Sequence, residues 1–273
     1  MSDEKFKNLG FGAIAGVVSR TMVAPLERMK ILYQIQSSKY NGTIINNFQH
    51  IYKQEGFRGL YSGNATNCAR VVPKTAIQYM AFRWINEYTE NKYLSGGLSG
   101  LATTVSVYPL ETIRSVLSVQ DLSKPGAHRS IYSCGKHIVK TNGVAALYRG
   151  IDITIIGSVP LYAINFGLQN QFRESLEYKL GNRPMLNNFL AGGFSMMCAL
   201  SLVYPSDVIR RHMQLKGKFG VPLYKNWMEC SKDIVTKNGV SALYRGLGVD
   251  YIKMFPANGI FFVCLDLLKR IEF

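Results

Sequence analysis

Cationic side chains lie inside apolar stretches of this sequence, where they could bind an anion. Arg70 lies seven residues after Gly63, and Lys253 lies seven residues after Gly246. If each glycine begins a helix, both cations lie about 10 Å along it, because a helix rises about 1.5 Å per residue. Two cations at one depth in apolar helices predict an anionic ligand.

A second pattern places an acidic and a basic residue three positions apart, shortly after a proline. Residues three apart project from nearly the same face of an α-helix. The pairs are Glu27 with Lys30, Glu111 with Arg114, and Asp207 with Arg210, and they follow Pro25, Pro109 and Pro205. Exposed surface charge would explain one such pair. Three pairs in apolar segments predict ion pairing inside the protein.

Another motif recurs downstream of each pair with constant spacing. An acidic residue or asparagine precedes a glycine, an aromatic residue stands two positions before a second glycine, and a proline follows ten residues later. The glycines are Gly56 and Gly63, Gly143 and Gly150, and Gly239 and Gly246, and the prolines are Pro73, Pro160 and Pro256. This periodicity predicts tandem repeats, which we place at 1–92, 93–184 and 185–273 of one transmembrane domain.

Each repeat has two long apolar segments joined by a short amphipathic one. The predicted long helices are 8–36, 64–88, 93–120, 151–175, 187–214 and 247–268. The chain is 47% apolar with a net charge of +15, which fits a membrane protein with a polar interior. A charge at the bilayer centre costs about 2.5–3.5 kcal/mol, so the charged residues should face a cavity. We expect six membrane spans.

Other function classes find little support in the sequence. The basic residues are spread along the chain without an aromatic and basic RNA motif, so we expect no nucleic-acid partner. The five cysteines and four histidines lack metal-ligand spacing, which predicts no metal site and buried free thiols. No nucleophile and base converge as in an enzyme. The first residues, MSDEK, resemble neither a secretory signal nor a transit peptide, so we expect internal targeting.

The repeated motifs resemble those of the mitochondrial carrier family, whose signature is Pro-x-acid-x-x-base followed by acid-Gly and aromatic-base-Gly. The resemblance implies an all-α membrane protein with six transmembrane helices in a threefold pseudosymmetric barrel and three short matrix-side surface helices. It also implies a functional monomer, with several membrane passes, in the inner membrane of a mitochondrion or a related organelle. Such carriers alternate between cytosol-open and matrix-open states without ATP hydrolysis.

The resemblance assigns two gates. In a threefold ring each acid reaches the base of the next repeat, so the matrix gate pairs Glu27 with Arg114, Glu111 with Arg210, and Asp207 with Lys30. Gln34 and Gln214 resemble the family's hydrogen-bonding braces beneath this gate, whereas repeat 2 has Ser118 there. The cytosolic gate is Asp266 and Lys269. Repeats 1 and 2 carry Arg83 with Asn86 and Asn170 with Arg173 at the equivalent positions, so we expect this gate to be weak.

The resemblance also indicates a substrate class. The second, fourth and sixth predicted long helices carry Arg70, Gly157 with Ser158, and Lys253, a pattern that resembles the nucleotide-carrying branch of the family. The resemblance implies that the cations bind the phosphates and that the nucleobase lies beside Gly157 and Ser158. Arginine binds phosphate in a bidentate manner. Arg20 and Arg211 add two cations, for which snorkelling or structural pairing is the alternative. We expect an anionic adenine nucleotide substrate of ADP/ATP type. A coenzyme A carrier, an ATP-Mg/phosphate carrier or another anion carrier is the alternative.

The recurrent glycines predict helix ends with free backbone N–H groups and positive dipole ends near the membrane. In the family such ends hold cardiolipin phosphates, so the resemblance implies bound cardiolipin and no other cofactor. The six positions are Gly56, Gly63, Gly143, Gly150, Gly239 and Gly246. Ordinary helix capping is the alternative explanation for each glycine taken singly.

Overall fold

All of the regular secondary structure in the described residues is helical. The computed structural model describes residues 2–35, 40, 42–89, 91–123, 126–128, 130–181 and 183–271. Its α-helices are α1 Ser2–Ile35, α2 Ile44–Leu60, α3 Asn64–Ala69, α4 Val71–Thr89, α5 Lys92–Val119, α6 Ile131–Asn142, α7 Ile151–Leu180, α8 Pro184–Gln214, α9 Trp227–Asn238 and α10 Leu247–Ile271. Single 3-10 turns, Val144–Tyr148 and Val240–Tyr244, precede α7 and α10. This confirms the all-α prediction for the residues that the structure describes.

The long helices agree closely with the predicted ranges, with one exception. The predicted helix 64–88 is divided into α3 and α4 at Arg70. Pro73 has no N–H to donate to the carbonyl of Ala69, which disturbs the helix one turn earlier. The Arg70 N–H still bonds the Thr66 carbonyl at 3.1 Å, so the path of the helix continues. The last residue of predicted helix 8–36 lies outside the described residues.

Local signals start and stop the short helices. Thr43, Ser130 and Asn226 cap α2, α6 and α9 by accepting a hydrogen bond from the backbone N–H three residues on. Gly143 and Gly239 end α6 and α9 with φ of 75° and 76°. These positive values are unfavourable for residues with a Cβ.

The helices pack as a ring. Across the repeats, α4 packs along α5, α7 along α8, and α10 along α1. Helices α1, α5 and α8, which carry the ion-pair motifs, also contact one another. The apolar core lies where their C-terminal halves meet α2, α6 and α9, and it includes Leu32, Leu117, Met213, Ile51 and Cys230. The ring is therefore closed at the end that carries the short helices.

Exposed apolar side chains cover the outside of this ring. Met22, Trp84, Val159, Leu202 and Val263 are all exposed. Among the described helices, three segments are long and apolar enough to cross a membrane, namely Val144–Lys179, Leu186–Gln214 and Val240–Arg270. These features indicate a multi-pass membrane protein. Six spans were predicted, and the helices of the first repeat and α5 do not meet this criterion.

Candidate functional site

Three ion pairs join helices α1, α5 and α8 where these converge. Glu27 of α1 pairs with Arg114 of α5. Arg210 of α8 lies 3.2 Å from Glu111 of α5, and Lys30 of α1 lies 2.8 Å from Asp207 of α8. Each acid thus contacts the base of the next repeat, as the threefold arrangement predicts.

The ring is largely shielded from solvent. The side chains of Lys30 and Arg114 are 9% and 7% exposed, and the carboxylates of the ring are 16–20% exposed. Removing one partner of a buried pair leaves an uncompensated charge at a cost of about 3–5 kcal/mol. Arg210 also pairs with Asp207 on its own helix, which connects two of the three pairs directly.

Two of the predicted substrate cations join this network. Arg70 lies 3.0 Å from Glu111, and Lys253 pairs with Glu27. The pairing occurs because α4 packs against α5 and α10 packs against α1. Arg70 and Lys253 are therefore already neutralised by gate carboxylates, whereas the sequence suggested free cations.

The other two predicted cations make different contacts, although Arg211 also lies 3.7 Å from Glu111 of the ring. Arg20 donates a hydrogen bond to the backbone carbonyl of Asn67 at 3.3 Å. Arg211 is only 4% exposed, and it donates to Ser115 Oγ at 2.6 Å and to Gln214 Oε1 at 3.1 Å. Arg20, Arg211 and Arg70 do not line the cavity described below, whereas Lys253 does. For Arg211 the contacts favour structural pairing, the alternative to a substrate role.

A cavity of about 380 Å³ lies directly on one side of the ring. Its charged lining consists of Lys30, Asp207, Arg210, Asp250 and Lys253. The remaining lining comes mainly from α7 and α8 and is largely apolar, including Gly157, Ser158, Leu161, Met196, Leu200 and Val203. The cavity thus joins a charged floor to an apolar wall, which suits a ligand with an anionic end and a flat apolar end.

Gly157 lies where α7 and α8 approach each other closely. A Cβ on Gly157 would lie 2.9 Å from Ser206 Cβ, so the missing side chain lets α8 approach α7. Gly157 also lines the cavity, so its substrate role stays a prediction. Ser158 Oγ donates to the Thr154 carbonyl at 2.6 Å, which leaves the hydroxyl as an acceptor.

Gln34 and Gln214 occupy similar positions but make different bonds. Gln34 Nε2 donates to Asp207 and to the hydroxyl of Tyr204, each at 3.1 Å. Gln214 Nε2 donates to the hydroxyl of Tyr108 at 3.2 Å, and its oxygen accepts from Ser115 and Arg211. Gln34 therefore bonds a member of the ion-pair ring directly, whereas Gln214 reaches the neighbouring Arg211.

The junction between repeats 1 and 2 lacks this tyrosine and glutamine pair. Buried Arg28 takes its place, pairing with Glu55 at 2.9 Å. Its guanidinium also donates to the carbonyls of Gly59, Ser118 and Gln120. Arg28 follows Pro25 by three positions, where the other repeats have Thr112 and Val208.

Sequence reasoning missed Arg28, Tyr108, Tyr204 and Asp250. A signal was present for the tyrosines, since each immediately precedes the proline of its repeat. Asp250 follows the second glycine of repeat 3 by four positions and is an acid only in that repeat. The neutral residues Asn67 and Thr154 at the equivalent positions set this acid apart in the sequence.

At the opposite end of the ring the predicted gate residues form local contacts. Asp266 pairs at 2.9 Å with Arg270, one turn along α10, and the two side chains are 59% and 75% exposed. Arg173 lies 3.7 Å from Glu177 of its own helix. Among the residues described, no ion pair joins Asp266 or Lys269 to another helix. This end of the ring is open in the structure.

The six recurrent glycines share a left-handed backbone, with φ between 69° and 89°. Gly63, Gly150 and Gly246 precede α3, α7 and α10, and a Cβ on them would lie 3.1–3.3 Å from the carbonyls of Arg114, Arg210 and Lys30. These glycines thus let the starts of α3, α7 and α10 pack closely against the next repeat. The N–H groups of Gly143 and Gly239 donate to the carbonyls of Val139 and Val235. These two groups are therefore hydrogen-bonded, whereas the sequence predicted free N–H groups.

The cysteines differ in their surroundings. Cys134 and Cys230 are buried in the short helices, where burial raises their thiol pKa to about 11 and about 12. These thiols stay protonated and unreactive at neutral pH. Cys198 is exposed, and Cys68 and Cys264 are half-buried, so the prediction of buried thiols is wrong for these three. Among the described residues no group of acidic, histidine or cysteine side chains could hold a metal ion.

A family model described as "Mitochondrial carrier protein" matches the chain three times, over residues 2–93, 87–180 and 181–272. The mitochondrial adenine nucleotide transporter ADNT1 of Arabidopsis thaliana is 32% identical over 97% of this chain and 86% of its own length. The adenine nucleotide transporter BT1 of the same plant, chloroplastic or mitochondrial, is 31% identical over 99% of this chain and 71% of its length. The human mitochondrial adenyl nucleotide antiporter SLC25A24 is 29% identical, and the chain spans 59% of its length.

Proposed function

Because the chain belongs to the mitochondrial carrier family, we propose that it exchanges adenine nucleotides across an inner organelle membrane by alternating access. The relatives named as adenine nucleotide transporters or antiporters support this substrate class. The observation that carries the proposal is the pairing of two cations with the ion-pair ring: Lys253, which lines the cavity, pairs with Glu27, and Arg70 pairs with Glu111.

These two contacts suggest how substrate binding opens the ring. A phosphate group that binds Arg70 competes with Glu111, and one that binds Lys253 competes with Glu27. Each carboxylate then loses one of its cationic partners, and the attachment of α4 to α5 and of α10 to α1 weakens. The free energy of phosphate binding thus offsets part of the cost of separating these helices.

The structure corresponds to the state that is closed on the matrix side in this proposal. Six gate residues, Glu27, Lys30, Glu111, Arg114, Asp207 and Arg210, hold that side, with Gln34 and Gln214 beside them. The cytosolic side depends on Asp266 and Lys269, and Asp266 pairs with Arg270 of its own helix. The difference in pairing favours a resting state open to the cytosol.

The remaining architecture follows the family pattern. We propose that all three repeats, 1–92, 93–184 and 185–273, contribute two spans each and that α2, α6 and α9 lie on the matrix side. The charges of α1 and α5 then face the cavity rather than lipid, which explains their lower hydropathy. The chain acts as a monomer in the inner membrane of a mitochondrion or related organelle.

Substrate placement within the cavity follows from its two kinds of wall. The phosphates lie at Arg70 and Lys253, with Arg20 nearer the open end. The adenine ring lies along α7 and α8, against Leu161 and Met196, rather than in a slot made by Gly157. Ser158 accepts a hydrogen bond from the ring edge.

Cardiolipin is the proposed lipid ligand. The recurrent glycines place helix starts at equivalent positions in all three repeats, and the first N–H groups of a helix attract phosphate. Each of the three equivalent sites combines the start of α3, α7 or α10 with the C-terminal part of the short helix before it. Their glycines are Gly56, Gly63, Gly143, Gly150, Gly239 and Gly246.

Exchange in proteoliposomes tests the substrate assignment. We expect ATP and ADP to exchange at comparable rates, with no uptake into liposomes that lack internal nucleotide. Malate, oxoglutarate and amino acids should not exchange. Coenzyme A and Mg²⁺-loaded ATP with phosphate are included as the alternative substrates. Malate or oxoglutarate exchange at the rate of ADP would contradict the nucleotide proposal while leaving the family assignment intact.

A further inference from the structure

Asp250 joins the two halves of the charged network at the cavity floor. It lies on α10 and is 3% exposed. One carboxylate oxygen lies 2.7 Å from Lys253 Nζ, and the other lies 2.6 Å from Lys30 Nζ. A single acid thus contacts both a proposed substrate cation and a base of the ion-pair ring.

The equivalent positions of the other repeats show that this acid is particular to repeat 3. Four residues after the second glycine, repeat 1 has Asn67 and repeat 2 has Thr154. Asn67 accepts a hydrogen bond from Arg70 at 3.3 Å, so a neutral amide already takes this place beside the other proposed substrate cation. A negative charge is therefore not needed for the helix to pack here.

The charge balance of the network gives Asp250 its importance. The ion-paired side chains of the network comprise the cations Lys30, Arg70, Arg114, Arg210, Arg211 and Lys253 and the acids Glu27, Glu111, Asp207 and Asp250. Cations exceed acids by two in this described set. Removing Asp250 would raise that excess by one within a poorly solvated cavity, where charges interact strongly.

We propose that Asp250 is an internal competitor for the substrate, occupying Lys253 and thereby setting how much negative charge the site prefers. The proposal rests on the nucleotide exchange proposed above. An incoming phosphate must displace the carboxylate from Lys253, and each further negative charge on the substrate is repelled by Asp250. The residue therefore limits the advantage of ATP over ADP and AMP.

The Asp250→Asn variant tests this with little risk to the fold. Asparagine has nearly the same shape, and both lysines keep another partner, Asp207 for Lys30 and Glu27 for Lys253. We expect KM for ATP to fall by about fivefold or more and KM for AMP to change less. The Asp250→Glu variant, which keeps the charge, should restore the order of KM values found in the unmodified protein.

Asn67→Asp is the matched control at the equivalent position of repeat 1. It adds an acid beside Arg70, so it should raise KM for ATP more than KM for AMP. A uniform change of all KM values in Asp250→Asn, or the same change in Asp250→Glu, would overturn the proposal, because either would indicate a structural role.

Binding of inorganic anions separates this proposal from the nucleotide assignment. Thermal stabilisation of the purified full chain is measured with phosphate, pyrophosphate and tripolyphosphate. Asp250→Asn should increase stabilisation most for tripolyphosphate even if the transported substrate is not a nucleotide. Equal stabilisation of the variant and the unmodified protein by all three anions would reject the role of Asp250, whatever liposome exchange shows about nucleotides.

Discussion

Individual side chains at the cavity floor have more than one partner. Glu27 pairs with both Arg114 and Lys253, and Glu111 pairs with Arg70 and Arg210. A carboxylate shared between two cations keeps one partner when the other binds substrate. The network can therefore exchange partners without leaving a charge unpaired, which would be costly away from water.

Truncating the substrate cations should abolish transport. In Arg70→Ala or Lys253→Ala, we expect nucleotide exchange in liposomes to fall by about 100-fold or more, because a charge that binds phosphate is lost. The partner carboxylates remain paired with Arg210 and Arg114, so the fold should survive. Thermal unfolding in detergent checks the fold.

Lys237→Ala is the matched control for this experiment. Lys237 is 60% exposed on α9 and pairs with Asp233 at a distance from the cavity network. Exchange should stay close to that of the unmodified protein. Normal exchange in both Arg70→Ala and Lys253→Ala would remove these residues from the substrate site.

At the scale of elements, the contacts between repeats differ although the repeats share one pattern. Tyr108 with Gln214 and Tyr204 with Gln34 join two of the junctions. The third junction uses buried Arg28, which satisfies three backbone carbonyls and Glu55. The junctions therefore need not separate with equal ease during a transport cycle.

The approach of α7 to α8 gives a prediction at this scale. Gly157→Ala places a Cβ against Ser206, so it should lower the thermal unfolding midpoint by several degrees as the helices are forced apart. The double variant Gly157→Ala with Ser206→Gly restores the space. It should recover most of the lost stability and exchange activity.

A packing role and a substrate role for Gly157 give different results. If Gly157 instead provides room for the adenine ring, the alanine variant raises KM without loss of stability. In that case Ser206→Gly brings no recovery, and the packing explanation is wrong.

At the scale of the whole molecule, the ring of helices is closed at one end and open at the other. The closed end combines three ion pairs between helices with the core beneath them. The open end has exposed ion pairs within single helices, which contribute little stability. The molecule should therefore rest open on the side away from α2, α6 and α9.

Cysteine accessibility measures that orientation. Leu161→Cys and Asn258→Cys, both lining the cavity, are introduced singly into a chain whose native cysteines are replaced. A membrane-impermeant maleimide should label them from the cytosolic side of intact organelles, and substrate should slow the reaction. Predominant labelling from the matrix side would contradict a cytosol-open resting state.

The sequence alone determined the helices, the repeats and the residue types of the charged motifs. Apolar periodicity and prolines at fixed spacing are local properties, so the helix ranges agree with the structure except near Arg70, where Pro73 interrupts the hydrogen bonding. Spacing also indicated the three acids and bases, and the threefold ring implied by the family resemblance placed each acid close to the base of the next repeat.

Only the tertiary structure decided which partners each charge has. The pairing of Arg70 with Glu111, the burial of Arg211 and the bridge made by Asp250 depend on how α4, α8 and α10 pack together. The packing contact of Gly157 was also decided there, since the atom nearest its missing Cβ belongs to α8. Spacing along one chain fixes the faces of single helices, whereas the contacts between helices are set by packing across repeats.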